Sequence, residues 1–393
     1  MRRFSANYVF PVSSPPIRNG IVEVDDNGIV VNIYKPEKNT SELHSTEFYN
    51  GVIVPGFVNC HCHLELSHLR NKIPQKTGIA GFVESITKNR NTNPNDIDSA
   101  IKHSLEEMVE TGTVAVGDIC NTTDTLLHKI QHKIHFQNFI EVFGSNPQQA
   151  QECYNNVQKV LGKFSEKFPN NSSITPHSTY SLSNSLWKLI GTHLEQQHNP
   201  VSVHYAESKA EYEFLENSSG PLGEWYNKAG IYIDTNRKTS PQKIITDNIP
   251  ANSNVLLVHC TYATVNELKR LQDFFNQTTI VTCPESNLYI ENSLPDLSEF
   301  LQSGLNIAIG TDSLASATSL SMLNQINIIL NYFPDISFDA VLKMATLNGA
   351  VALGFSESIG TIEVGKTPGL NLISGFDFDK FRPTVHSKVK KLL

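Results

Sequence analysis

Eight short β-rich apolar runs constrain this chain more than any other feature. They are Val52–Asn59, Thr113–Ile119, Ile134–Phe143, Ser173–Pro176, Val201–Ala206, Val255–Cys260, Thr279–Cys283 and Asn306–Gly310. Each is about as long as a buried strand. Several of the segments between them, such as Asp96–Glu110 and Asn184–Gln197, carry helical periodicity. Strand–helix alternation repeated eight times predicts an α/β chain built as a parallel (β/α)8 TIM barrel rather than an open sheet. Such a barrel takes roughly 250 residues. The 393 present, 39% of them hydrophobic, leave room for a second small unit.

The two ends read differently. Val22–Val24 and Ile29–Tyr34 flank Asp25-Asp26-Asn27-Gly28, a hairpin turn signal. After Gly354, short apolar pairs alternate with Gly360, Gly365, Pro368 and Gly369. Both ends therefore read as short strands. They are expected to meet in one small β-sandwich domain, because chain termini often lie close together. The expected division is 1–51 with 355–393 for the sandwich and 52–354 for the barrel.

Composition narrows the partners. Net charge is −8, from 31 basic and 39 acidic residues, with no long basic run. That disfavours nucleic acid, whose binders show a basic stripe. No stretch of 18 uninterrupted apolar residues predicts a membrane span, and the two N-terminal arginines lack the apolar core of a secretion signal. Six cysteines form no C-x-x-C pair, which argues against a zinc knuckle or a thioredoxin-like motif. Reduced thiols in a cytoplasmic protein are expected. The partner expected is a small-molecule substrate, with no nucleic acid and no membrane; a homodimer is left open.

Chemistry concentrates at the ends of the predicted strands. The first run leads into Pro55-Gly56-Phe57-Val58-Asn59-Cys60-His61-Cys62-His63. Two histidines two apart on a strand point to one side and can bite one metal ion together. Alone, they are equally two polar residues after a strand. The fifth run ends in Val203-His204-Tyr205-Ala206-Glu207, the sixth in Val258-His259-Cys260, and the eighth runs into Gly310-Thr311-Asp312. Catalytic groups of barrels gather at such strand ends, because the βα loops form the active face.

Together these residues resemble the amidohydrolase superfamily, in its aminohydrolase (deaminase) branch, and most resemble the deaminases of S-adenosylhomocysteine and aminodeoxyfutalosine. The resemblance runs from the Pro-Gly-Phe-Val-Asn-Cys-His-Cys-His motif through Pro176-His177-Ser178, His204-x-x-Glu207 and His259. It continues through Cys283-Pro284-Glu285-Ser286-Asn287 and Gly310-Thr311-Asp312-Ser313 to Gly360-Thr361-Ile362-Glu363-Val364-Gly365-Lys366. One departure follows: Thr367-Pro368-Gly369 stands where the family has a small-acidic-small pattern.

The resemblance implies that His61, His63, His204 and Asp312 ligate one divalent metal. Three nitrogens with a carboxylate suit zinc, and iron or manganese stay open. A second metal would need a bridging lysine on the fourth strand, and Ser173–His177 contains none. Asp312 would also accept the attacking water's proton, His259 would orient the nucleophile, and Glu207 would shuttle protons to the ring and the leaving amine. Glu207 has a plainer alternative as a solvated carboxylate at a helix start. His177 and Glu84 are the substrate-binding candidates; the alternatives are a structural strand-end histidine and a surface glutamate. Glu65, Ser67 and His68 follow the first two ligands closely enough to line a pocket. The implied reaction is hydrolytic deamination of an aminated purine-type ring in an adenosine-like nucleoside. The alternative keeps the metal site and hydrolyses a ring chloride or a cyclic amide. A scaffold role would require lost ligands, and all are present.

Overall fold

The computed structural model describes residues 1–36, 45–236 and 238–393. Five strands open the chain: β1 (Arg2–Val9), β2 (Ile17–Arg18), β3 (Ile21–Val24), β4 (Val30–Tyr34) and β5 (Thr46–Pro55). Eight more alternate with helices: β6 (Phe57–Cys62), β7 (Thr113–Cys120), β8 (His135–Val142), β9 (Ser172–Pro176), β10 (Val201–Tyr205), β11 (Asn254–His259), β12 (Gln277–Thr282) and β13 (Ile307–Ile309). Two close it: β14 (Leu370–Ser374) and β15 (Lys388–Lys391).

Strands β6 to β9 pair in parallel in chain order, and so do β10 to β13. The two sheets are stitched at both seams. The Ser178–His204 bridge joins β9 to β10, with the His204 N–H donating to the His177 carbonyl at 2.9 Å. The Cys62–Asp312 bridge joins β6 to β13, where the His61 carbonyl accepts from the N–H groups of Thr311 and Asp312. Side-chain alternation then sorts the core. Val58, Cys60, Ala115, Phe139, Leu256, Val258, Val281 and Ala308, drawn from both sheets, form one buried cluster. Their strand neighbours, such as Ile140, Leu257 and Ile280, join a larger cluster with helix residues such as Trp187 and Leu271.

One expected strand proves to be two. Val52–Pro55 finish β5, and the parallel strand begins only at Phe57. The hand-over needs Gly56: a Cβ there would lie 2.2 Å from Val114 Cγ1 and 2.7 Å from the Pro368 carbonyl oxygen. An unbroken apolar run does not show where one sheet ends and the next begins. The division expected at 51/52 therefore falls inside β5.

Strand β5 belongs to a seven-stranded sheet of order β15-β14-β5-β1-β3-β4, with β2 paired to β1. Both chain ends thus meet in one hydrogen-bonded sheet, around Phe4, Val22, Ile53, Ile362 and Leu370. Its hairpin turns as its sequence asks. The Asp25 carboxylate accepts from the N–H groups of Asn27 and Ile29 at 2.9 Å each, and Gly28 takes φ +81°. The Gly365-Lys366 turn is sewn to β4 by two bonds to Val30, each 2.9 Å. No helix among the described residues is long and apolar enough to cross a membrane.

Candidate metal centre

The histidine pair sits on an irregular strand end. Between β6 and β7 the register slips, so that Asn59 faces Val116 but Cys62 faces Asp118. Such a bulge bends a strand and re-aims its side chains. His61 Nε2 and His63 Nε2 come to 3.1 Å from each other. Cys62 instead packs among Leu64, Ile101, Leu105 and Met108. The close approach of the last strand needs Gly310, where a Cβ would fall 2.9 Å from both the Cβ and the carbonyl oxygen of His61.

The remaining groups arrive from three other strand ends. His204 follows from β10; its Nδ1 donates to the His177 carbonyl at 2.7 Å, which leaves Nε2 as the free lone pair. His259 ends β11, and its Nδ1 donates to Asn287 Oδ1 at 2.7 Å; Nε2 has no hydrogen-bond partner among the described residues. Asp312 follows β13. Its Oδ2 accepts from the Ser286 and Ser316 hydroxyls at 2.6 and 2.8 Å. Its Oδ1 lies 3.5 Å from His63 Nε2 and 3.7 Å from His61 Nε2. Ligand atoms of His61, His63 and Asp312 all lie within 4.8 Å of one another, as do those of His61, His204 and His259. The strand ends bearing them are wound unusually: Ala206, His259, Cys260 and Asp312 have φ between +49° and +70°. Non-glycine residues take that region at a cost, and such outliers gather at functional sites.

The donor set fits a cation. Burial, ahead of every other cause, holds the imidazoles of His61, His63 and His259 below their ordinary pKa, so their lone pairs are unprotonated at neutral pH. For Asp312 burial works upward, but His63, His259 and the Ser286 hydroxyl outweigh it, and the carboxyl is held down as a carboxylate. Glu207 lies one step away, with Oε1 3.6 Å from His259 Nε2. Burial, with the Asp312 charge adding to it, pushes Glu207 up to about 8.

The amidohydrolase family model matches residues 52–391. The chain belongs to the amidohydrolase family. The aminodeoxyfutalosine deaminase of a Nitratiruptor species is 28% identical over 353 residues, covering 88% of this chain and 83% of that protein. Two solved structures share the fold. The Helicobacter pylori aminofutalosine deaminase in complex with methylthio-coformycin superposes with TM-score 0.82 at 21% identity, covering 99% and 97% of the two chains. A Xanthomonas campestris adenosine deaminase with bound zinc gives 0.74 at 20% identity, covering 98% and 87%.

In this amidohydrolase the expected ligands and catalytic groups converge, and the substrate-binding candidates separate. His177 stays with the cluster: its ring centroid is 4.7 Å from that of His204, and its Nδ1 faces the Ser178 and Ser181 hydroxyls. Glu84 stands elsewhere, on the helix Gly78–Asn89, where Lys88 and Lys228 each donate to its Oε1 at 2.7 Å. Those two ammonium groups pull its carboxyl down to about 2. Glu65 braces a loop, while Ser67 and His68 line a cavity with Arg70, Asp96 and His103. The Glu65 carboxylate accepts from the N–H groups of Asn121 and Thr122, and the His68 ring lies between two backbone carbonyls.

Sequence reasoning missed several groups. Glu141 on β8 brings Oε1 within 3.8 Å of His204 Nδ1 and bonds Asn121 through Oε2. Its signal was an acid inside the apolar run Ile134–Phe143. Glu211 accepts from the Glu207 N–H at 3.1 Å and from the Thr179 hydroxyl, and burial pushes it up to about 8. Ser286 and Asn287 stood in a family motif without a role.

Proposed function

We propose that this amidohydrolase is an aminohydrolase that removes the amino group of an aminated purine-type ring, in an adenosine-like nucleoside, as ammonia. The observation that carries this reading is Glu207, a buried, proton-bearing carboxyl 3.6 Å from His259 inside the histidine–aspartate cluster. His61, His63, His204 and Asp312 would hold one divalent metal, zinc first on their three-nitrogen, one-oxygen chemistry. When bound there, a metal supplies Lewis acidity and lowers the pKa of water.

The chain's own groups do the rest. Serine hydroxyls pin Oδ2 of Asp312, which leaves Oδ1 to take a proton from the attacking water. Asn287 fixes the tautomer of His259, so its Nε2 accepts from that water and aims it. Glu207 keeps its proton near neutral pH and gives it to a ring nitrogen beside the attacked carbon; it is then recharged with the proton that Asp312 took from the water and passes that proton to the departing amine. An acid of that kind matters most when the leaving group is an amine. Relatives named for aminodeoxyfutalosine and adenosine deamination support the nucleoside class. His177 faces the same space and is the substrate contact in this reading; Glu84, the other candidate, is held by Lys88 and Lys228. The eight parallel strands are read as one closed (β/α)8 barrel, and the seven-stranded sheet as a small β-sandwich domain formed by both termini.

The test is an ammonia-release screen of the purified protein across adenosine derivatives, guanine, cytosine and aminotriazines. Turnover of adenosine derivatives is expected. Ammonia from none of them, with chloride or ring-opened amide released instead, would overturn the deaminase reading.

A further inference from the structure

The first of the two parallel sheets holds a charge pair that the proposed reaction does not use. Lys129, on the helix Leu126–Gln131, and Asp118, on β7, are both fully buried, with Nζ 2.5 Å from Oδ2. All three ammonium protons have acceptors: Asp118, Asn138 Oδ1 at 2.8 Å and Cys120 Sγ at 3.2 Å. The rings of Phe136 and Phe164 lie 5.3 and 5.0 Å from the same nitrogen. Desolvating two charges is costly, and a buried pair is weak evidence for stability in itself.

Its other contact shows what it serves. Asp118 Oδ1 accepts from the N–H of Leu64 at 2.9 Å. Leu64 is the residue after His63, it is fully buried, and it begins the 3-10 turn Leu64–Leu69. At this point β6 leaves its ladder: Cys62, which faces Asp118 beyond the slip, is the last residue of β6 in register with β7. The Leu64 N–H would be orphaned in the core without a side-chain acceptor. Asp118 therefore takes over from the ladder just where the two histidines are presented, and Lys129 neutralises the carboxylate that does so.

We infer that the Asp118–Lys129 pair is a positioning device for the His61-x-His63 ligand pair, anchoring the backbone on the far side of His63 through the Leu64 N–H. The inference rests on the metal reading of that pair. Neither residue touches the ligand atoms. Both act through the chain that carries them.

The test uses the full chain, stripped of metal, with zinc affinity measured against a chromophoric chelator and the cobalt(II) form read by visible absorption. D118N/K129M removes both charges but keeps an amide oxygen for Leu64. D118L/K129M removes that oxygen too. Loss of such an outer support typically weakens metal binding 10–100-fold, so D118L/K129M should fall in that range with an altered cobalt spectrum, and D118N/K129M should stay within about threefold of the parent. Equal weakening of both variants would overturn the inference, because the acceptor would not be what holds the segment. So would parental affinity and spectrum in D118L/K129M. If that variant fails to fold, D118A/K129M is judged by the same criterion. A parent chain that takes up no zinc overturns the metal reading and this inference with it. A parent that binds zinc tightly beside unchanged variants overturns the inference alone.

Discussion

The mouth of the parallel strands and the sheet built from the two chain ends handle charge in opposite ways. In the terminal sheet, ionic groups face an opposite charge: Arg2 and Glu47 pair at 3.0 Å with about half of each side chain exposed, and the buried Glu23 meets Arg3 at 2.7 Å. The backbone there pairs strand to strand, and its Asp25–Gly28 hairpin uses residues that turns favour. At the mouth, His61, Asp312, Glu207, Glu211 and Glu141 are all buried, several backbones are left-handed, and each polar atom needs a designated partner. The terminal sheet draws its stability from apolar burial. The mouth holds groups in states that water would not allow, at a cost in stability.

That contrast can be broken or sharpened by experiment. The largest effect is expected from removing residues 369–393, which deletes β14 and β15 and bares the edge of β5. Insoluble or poorly folded protein is expected; a soluble, active truncation would show that the sheet is dispensable to the mouth. Next comes His61→Ala. It should abolish ammonia release and metal uptake, measured by elemental analysis, while far-ultraviolet circular dichroism stays unchanged. Glu207→Gln follows: fold and metal content retained, with kcat down by about 10²–10⁴, the usual worth of a general acid–base. Loss of metal in that variant would instead place Glu207 among the ligands.

A smaller effect belongs to Glu211. Burial chiefly sets its pKa near 8 in the folded chain, against about 4.5 in an exposed carboxyl. Between those values the folded state binds more protons than the unfolded one, so this contribution is fully present below about pH 4.5 and is lost as pH climbs toward 8. Glu211→Gln still presents an oxygen to the Glu207 N–H and can donate to Thr179. In the metal-free protein it should flatten the fall of Tm between pH 5 and 8. An unchanged slope would mean that Glu211 is not the group titrating. The smallest effect is expected from Glu47→Gln in the terminal sheet. An exposed pair of this kind contributes little, and Tm and activity should not move beyond error; a clear loss of either would erase the contrast between the two regions.

Much of the parallel architecture was legible because its period and its punctuation agree. Each of the eight apolar runs overlaps a parallel strand, and the candidate ligand residues lie at or just past the ends of those strands. The first run misled because Val52–Pro55 and Phe57–Asn59 are both buried and apolar; only the crowding at Gly56 separates them, and crowding is a three-dimensional fact. Glu84 was read from local context, and the helix Gly220–Lys228 that brings Lys228 to it is far away in sequence. Glu141, Glu211 and Asp118 were silent for a related reason. A single acid in an apolar stretch has meaning only through the neighbour it meets, and those neighbours come from other strands and helices.

The seam between β5 and β14 also sets a schedule. Pro55 pairs with Leu370, so β5 waits through nearly the whole length of the chain for its partner. At roughly 5–20 residues per second, a ribosome needs on the order of tens of seconds to make what lies between. During that interval β1 and β5 can already pair, while the other side of β5 has nothing of its own to bind. Strands with open edges associate with one another. The nascent chain is thus most vulnerable to aggregation before its last strands emerge, and crowded or rapid synthesis should lower its yield more than the finished protein's stability would suggest.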